Sequence, residues 1–338
     1  MAQRWVLITD DFPPRSGGVA SWTERLATGL HSAGEEVVVF ARARAGLGEG
    51  LPYPVRGVRG PSFGRHGGLW TAAAAWGAVR GADRVLASTW PVATRLVGGR
   101  GGARLDVVFH GSDLTRPPVD PAGLERVLRG GRHWAVSAYL QGILAARGAT
   151  AGVLPAPVVV RRGAARRGPR PERWLYLGRA TDLKGGERFV RLVAAAGVQG
   201  AVVGDGPALR AWRALAERLG ARVRFEGAVA RGLVDRWLDW ADLVLLLPRA
   251  REDGSGAEGL GLALIEAAGA GVAGVGCAVG GVPEALGPAG LILADPDDAA
   301  SSVEAIRAWW SPERGLAARD WAEGAHGTDR LVAALLGG

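Results

Sequence analysis

The chain has 338 residues, 48% of them hydrophobic, and its 41 Lys plus Arg against 33 Asp plus Glu give a net charge of +8 at pH 7. That is enough apolar material for two domains with real cores, and it excludes a disordered chain. The basic excess contains no cationic run interleaved with aromatics and no zinc-ligand spacing, so nucleic acid is not an expected partner, and a single cysteine, Cys277, excludes an intrachain disulfide and fits a cytoplasmic protein.

From the N-terminus, "MAQRWVLITDDF" runs straight into a strand-like segment. We expect no signal peptide there. No run of about 18 apolar residues exists, so no transmembrane helix is expected. "WVLITD" (5–10) reads as a buried strand, and "GVASWTERLATGLHSAG" (18–34) as a helix with apolar residues at helical spacing and a closing glycine. "EEVVVFA", "DRVLAS", "RLDVVFHG" and "HWAVSA" are the next strands, with helical stretches between them. In "GGLWTAAAAWGAVR" (67–80), Trp70 and Trp76 lie in an apolar helical stretch flanked by Arg65 and Arg80. Such a segment either packs inside the protein or lies in a membrane interface, so weak, peripheral membrane contact is the most we expect.

Residues 155–172, "PAPVVVRRGAARRGPRPE", lose periodicity and are rich in Pro, Gly and Arg. We place the linker at 156–172, between domains spanning 1–155 and 173–316. After it the strand rhythm resumes with "RWLYLGR", "GAVVGDG", "ARVRFEG", "ADLVLLLP" and "GVAGVGCA", separated by helices such as "GERFVRLVAAAG", "ALRAWRALAERLG" and "LGLALIEAAGAG". Continuous apolar strands alternating with helices predict an α/β chain with two parallel, doubly wound sheets, and ligands bind at the carboxyl ends of such strands.

Several polar constellations stand at those strand ends. Arg179 and Lys184 sit in the turn after a strand, and Gly185 and Gly186 open the next helix. Two cations beside a helix N-terminus suit a diphosphate, although a solvated turn has the same sequence. No Ser or Thr follows the lysine, so this is not a Walker A loop. Glu258 lies in a glycine-rich loop, and Glu266 lies eight residues on, in an otherwise apolar helix. A carboxylate there either faces solvent or meets a partner such as a sugar hydroxyl. Gly17 and Gly18 form another strand–glycine–helix turn, and His110 stands just past a strand, followed by Asp113. "DPD" (295–297) reads as a turn and N-cap rather than a metal site. "GDGPAL" lacks the third glycine of G-x-G-x-x-G, which argues against a nicotinamide dehydrogenase.

Taken in order, the glycine pair after the first strand, "HG", Arg-x4-Lys-Gly, "GDGP" (204–207), "EGLGLALIE" and "GGVPE" (280–284) resemble glycosyltransferase family 4, the retaining, nucleotide-sugar-dependent enzymes of the GT-B fold. The resemblance implies two Rossmann-like domains facing a central cleft, with the last helix, 317–336, packing back on the N-terminal domain. It implies that Arg179 and Lys184 hold the donor diphosphate, that Glu266 bonds the ribose, and that Glu258 with the amides of Gly259, Leu260 and Gly261 holds the transferred sugar. Gly17, Gly18 and Gly204 would line the donor, Phe225 would lie near its base, and His110 and Asp113 would serve catalysis and the acceptor. No metal and no cofactor beyond the nucleotide-diphosphate sugar is implied, and the acceptor would be a natural product, lipid or saccharide. An epimerase of the same fold and a catalytically silent nucleotide-sugar-binding protein share most of these features. Lys184 is the only lysine among 41 basic residues. A chain that elsewhere writes arginine is expected to need a compact point charge there.

Overall fold

In a computed structural model the chain is described over residues 2–15, 17–59, 75–97, 102–118, 120–161, 168–253 and 255–337. The apolar runs become strands, and among the described residues every pairing between them is parallel. The first seven are β1 (Arg4–Ile8), β2 (Glu36–Arg42), β3 (Val55–Val58), β4 (Arg84–Ala87), β5 (Arg104–Phe109), β6 (Arg132–Ala135) and β7 (Ala151–Val153). They form one sheet in the order β3-β2-β1-β4-β5-β6-β7. The other six are β8 (Arg173–Leu177), β9 (Gln199–Val203), β10 (Val223–Gly227), β11 (Leu243–Leu246), β12 (Ala273–Cys277) and β13 (Leu291–Leu293), ordered β10-β9-β8-β11-β12-β13.

Central strands are apolar throughout because helices cover both faces of a parallel sheet. Trp5, Val6, Leu7 and Ile8 of β1 are all fully buried. The edge strands β3, β7 and β13 escape a reading of apolar runs. They are three or four residues long, and none is continuously buried. An edge strand exposes one side and needs no continuous apolar run.

The chain divides into two compact units, Met1–Pro157 with Thr328–Gly338, and Val158–Gly327. Where the chain crosses between them, Val158 donates to the His326 carbonyl at 2.9 Å and bridges Gly327. The terminal stretch expected as one helix over 317–336 is two helices, Arg314–His326 and Thr328–Leu336, broken at Gly327. The first stays with the second unit, packed against the helix Leu262–Gly269, and only the second joins the first unit. There it lies on the helix Gly18–Ser32, where Gly29 lets Thr328 approach so closely that a Cβ would stand 2.5 Å from its methyl.

Inside the first unit, Arg84 and Asp106 pair at 2.8 Å with almost no exposure. Asp106 also accepts from the Trp134 indole at 2.8 Å, and Arg84 reaches the Leu335 carbonyl at 3.3 Å. The second unit's core runs from Trp174 and Tyr176 through Phe189 and Trp212 to Ile306. Of the tryptophan-bearing stretch 67–80, residues 67–74 lie outside the described residues; 75–79 are helical with Ala75 and Val79 fully buried. No described helix is long and apolar enough to cross a membrane.

Candidate functional site

In the second sheet the strand order reverses between β8 and β11, the place where open α/β sheets bind ligands. The β8 turn and the β11 loop meet there. Lys184 ends a short 3-10 turn, Asp182–Lys184, and Gly185 caps the helix Gly186–Ala196 at φ 74°. Any Cβ on Gly185 would lie 1.8 Å from the Leu247 carbonyl oxygen, so left-handed backbone and close approach both demand glycine. Across the same junction the Arg249 amide donates to the Leu183 carbonyl at 2.8 Å.

The lysine turn and the Glu258 loop are brought together: Lys184 Nζ pairs directly with Glu258 Oε2. Both are largely covered, with side-chain exposures of 28% and 12%. The backbone of Glu258 is held from below, its carbonyl accepting from the Gly281 amide at 2.9 Å. Arg179 differs: it is exposed and its guanidinium has no hydrogen-bond or ion-pair partner among the described residues. Its carbonyl accepts from the buried Tyr176 hydroxyl at 2.8 Å, and the Tyr176 phenol is pushed up by burial and by the Glu258 charge. One cation is thus free for a ligand, one is parked on a carboxylate, and the helix N-terminus beside them favours an anion.

Glu266, on the helix Leu262–Gly269, resolves the sequence's two alternatives in a third way. Its side chain is only 10% exposed, and it accepts from Arg231 at 2.7 Å. Gly261, at the mouth of that helix, caps it at φ 102°, with Gly259 and Leu260 buried before it. Phe225 does not present its ring at a strand end. The ring packs on the core with the Arg213 guanidinium 4.9 Å from its centroid, and the Phe225 carbonyl accepts from Arg213 at 2.9 Å. Gly204 packs against the β8 turn, where a Cβ would meet the Gly178 carbonyl at 1.8 Å.

At the end of the first sheet the character changes. Gly17 caps the helix Gly18–Ser32 at φ 148°, and among the described residues a Cβ there would meet nothing within 4 Å. His110 follows β5, and its ring stands edge-on to Trp22 with centroids 4.9 Å apart. Burial lowers the His110 pKa to about 3, against a backbone hydrogen bond to Ser88 that raises it, so the ring is neutral. Neither His110 Nε2 nor the Trp22 indole nitrogen has a partner among the described residues. Asp113 is turned inward: its carboxylate accepts from the amides of Gly111 at 2.8 Å and His110 at 3.1 Å. Burial nonetheless raises its pKa to about 6. Its direct work is to shape the turn that carries His110.

Arg231 and Trp22 were not legible as site-associated residues. Arginines are everywhere in this sequence, and nothing in spacing distinguishes the one that meets Glu266.

The family described as "Glycosyl transferases group 1" matches residues 171–311, which lie in the second unit. No curated protein matches the chain. Among solved structures, Anabaena Alr3699/HepE in complex with UDP-glucose is 17% identical over 98% of this chain and 99% of its own, with a TM-score of 0.75. AviGT4, a glycosyltransferase involved in avilamycin A biosynthesis, is 19% identical over 99% of this chain and 96% of its own, with a TM-score of 0.71. WaaG, a glycosyltransferase involved in lipopolysaccharide biosynthesis, is 19% identical over 98% and 100%, with a TM-score of 0.71. Two parallel-sheet α/β units of this kind are the GT-B fold. Fold and family match together support a glycosyltransferase.

Proposed function

We propose that the chain moves a hexose or similar sugar from a nucleoside-diphosphate donor to an acceptor hydroxyl, with retention at the anomeric carbon and without a metal. The observation that carries this reading is the meeting of Lys184 and Glu258 at the β8/β11 reversal, beside the N-terminus of the helix Gly186–Ala196. A donor diphosphate would draw Lys184 off Glu258. The freed carboxylate can then accept from the hydroxyls of the transferred sugar, since an ionised carboxylate only accepts and hydroxyls donate. Arg179 and Lys184 oppose the charge that grows on the departing diphosphate, which is electrostatic catalysis. The departing phosphate oxygen takes the acceptor's proton on the face it leaves, and the new glycosidic bond forms there. Glu266, oriented by Arg231, is assigned the ribose, and Gly17, Gly18 and His110 keep the donor and acceptor roles that the sequence resemblance implies.

HepE, whose structure holds UDP-glucose, suggests the first donor to try. Natural-product, lipid and saccharide acceptors remain the candidate classes, and any membrane contact would be weak and peripheral. The test is a panel of nucleotide-sugars screened for a raised melting point, since a ligand of the native state stabilises it. The stabilising donor is then turned over with an acceptor library in the presence of a chelator. Product with the donor's anomeric configuration is expected. An inverted product, or activity abolished by the chelator, would refute the respective part. Release of an epimerised sugar without acceptor would refute transfer itself.

A further inference from the structure

The motif at 295–297 does more than turn the chain. The cap of the helix Ala299–Trp309 falls to Asp298, which accepts from the Ser301 amide at 3.1 Å. Asp297 is left to bind two arginines. Arg188 grips it through Nε at 3.0 Å and through a terminal nitrogen at 2.6 Å, and Arg249 adds bonds at 3.1 and 2.6 Å. Arg188 is nine-tenths buried, and its remaining nitrogen donates to the carbonyls of Leu247 at 3.2 Å and Pro248 at 2.8 Å. The two arginines hold Asp297 well below the usual carboxylate range, at about 2.

Arg188 bonds Leu247 and Pro248, and Asp297 ties Arg188 to Arg249, so the cluster closes on 247–249, the segment on which the lysine turn rests. The Arg249 amide holds Leu183, and Gly185 lies against the Leu247 carbonyl. The Asp297 side chain is 46% exposed, so ion pairs there add little to stability. What a bidentate fork adds instead is fixed geometry. We infer that Asp297 and Arg188 are positioning residues for Lys184: they lock the end of β11, and with it the turn that presents the lysine ammonium to a diphosphate. The inference rests on the reading of Lys184 as a diphosphate ligand.

Calorimetric titration of the full chain with UDP, GDP and ADP, each beside its parent nucleoside, tests it as a double-mutant cycle. Lys184→Ala is expected to weaken the tightest of the three by about tenfold or more, as loss of a charge-assisted hydrogen bond does. Asp297→Asn is expected to weaken it almost as much while nucleoside affinity stays within about twofold, and the double variant to be no worse than either single one. Multiplying losses, an unchanged affinity in Asp297→Asn, or an equal loss for the nucleoside would overturn the positioning role. If Asp297→Asn does not fold, Arg188→Lys, which keeps charge but loses the fork, takes its place under the same criteria. If none of the three nucleotides binds, or Lys184→Ala has no effect, the diphosphate reading itself fails and the inference with it.

Discussion

The two sheets reverse their strand order at equivalent places, between β1 and β4 in one and between β8 and β11 in the other, yet the end of β8 and the end of β5 carry different chemistry. The second unit puts its charges at the strand ends: Arg179 without an ionic partner among the described residues, Lys184 on Glu258, and Arg231 on Glu266. Around β5 the first unit keeps a charged pair, Arg84–Asp106, inside, and leaves a neutral histidine and an indole at the β5 strand end. The Lys184–Glu258 pair keeps partial exposure and can be exchanged for a ligand's charges, whereas the Arg84–Asp106 pair, with almost none, cannot. The charged end of β8 suits an anion, and the neutral end of β5 suits uncharged hydroxyls.

The largest expected effect is on the buried pair. Asp106→Asn leaves the Arg84 guanidinium uncompensated in the interior and should cost about 3 to 5 kcal/mol in chemical denaturation. An unchanged unfolding free energy would erase the contrast from the first unit's side.

Next comes Lys184. Lys184→Ala should lower turnover by on the order of 10²-fold or more, the usual loss when a preorganised charge facing a leaving group is removed. Lys184→Arg should keep the melting point yet lose most of that activity, because a wide fork in place of a point charge would engage the Glu258 carboxylate and leave less for the diphosphate. Full turnover in Lys184→Arg would make the lone lysine an accident of composition.

The first unit's strand end has its own signature in pH. Burial lowers His110 to about 3 and raises Asp113 to about 6. Between about pH 4 and 6 the unfolded histidine binds a proton that the folded one refuses, so its contribution to stability falls as pH falls. The folded Asp113 holds a proton that the unfolded one has released, so its contribution is full at acid pH and is lost as pH rises through about 6. Each slope is about 1.4 kcal/mol per pH unit, and in the natural chain they oppose and cancel. Relative to that chain, His110→Gln should gain stability as pH falls from about 6 to 4, and Asp113→Asn should lose it. Denaturant titrations at four pH values decide this, and parallel curves for all three proteins would count against the buried assignments.

The smallest effect is the subtlest. With Glu258→Gln the ammonium of Lys184 is no longer parked on a charge, so nucleoside-diphosphate affinity should rise by about two- to fivefold, the worth of a part-exposed ion pair. Turnover of the sugar donor should fall at the same time, because the sugar loses its carboxylate. Glu266→Gln should weaken donor binding instead, since a ribose contact is equal in ground and transition states. Reduced nucleoside-diphosphate affinity in Glu258→Gln would mean that the ion pair supports the site rather than waits for a ligand.

Sequence alone determined what short-range physics dictates. Continuous apolar runs name the central strands, glycines mark the turns at their ends, and the single lysine among arginines marks Lys184, all because a buried parallel strand and a tight turn tolerate few residue types. The edge strands β3, β7 and β13 were illegible because half-exposed backbone imposes no such demand. The break at Gly327 was illegible because helical spacing runs through it. Partners lay further out of reach. That Lys184 meets Glu258, Glu266 meets Arg231, Asp113 turns inward and Asp297 clasps Arg188 was decided only by the tertiary structure. These pairs are 74, 35 and 109 residues apart where they join side chains. A charged residue's sequence states that it needs a partner when buried, but only the folded chain states which of forty arginines is near enough to serve.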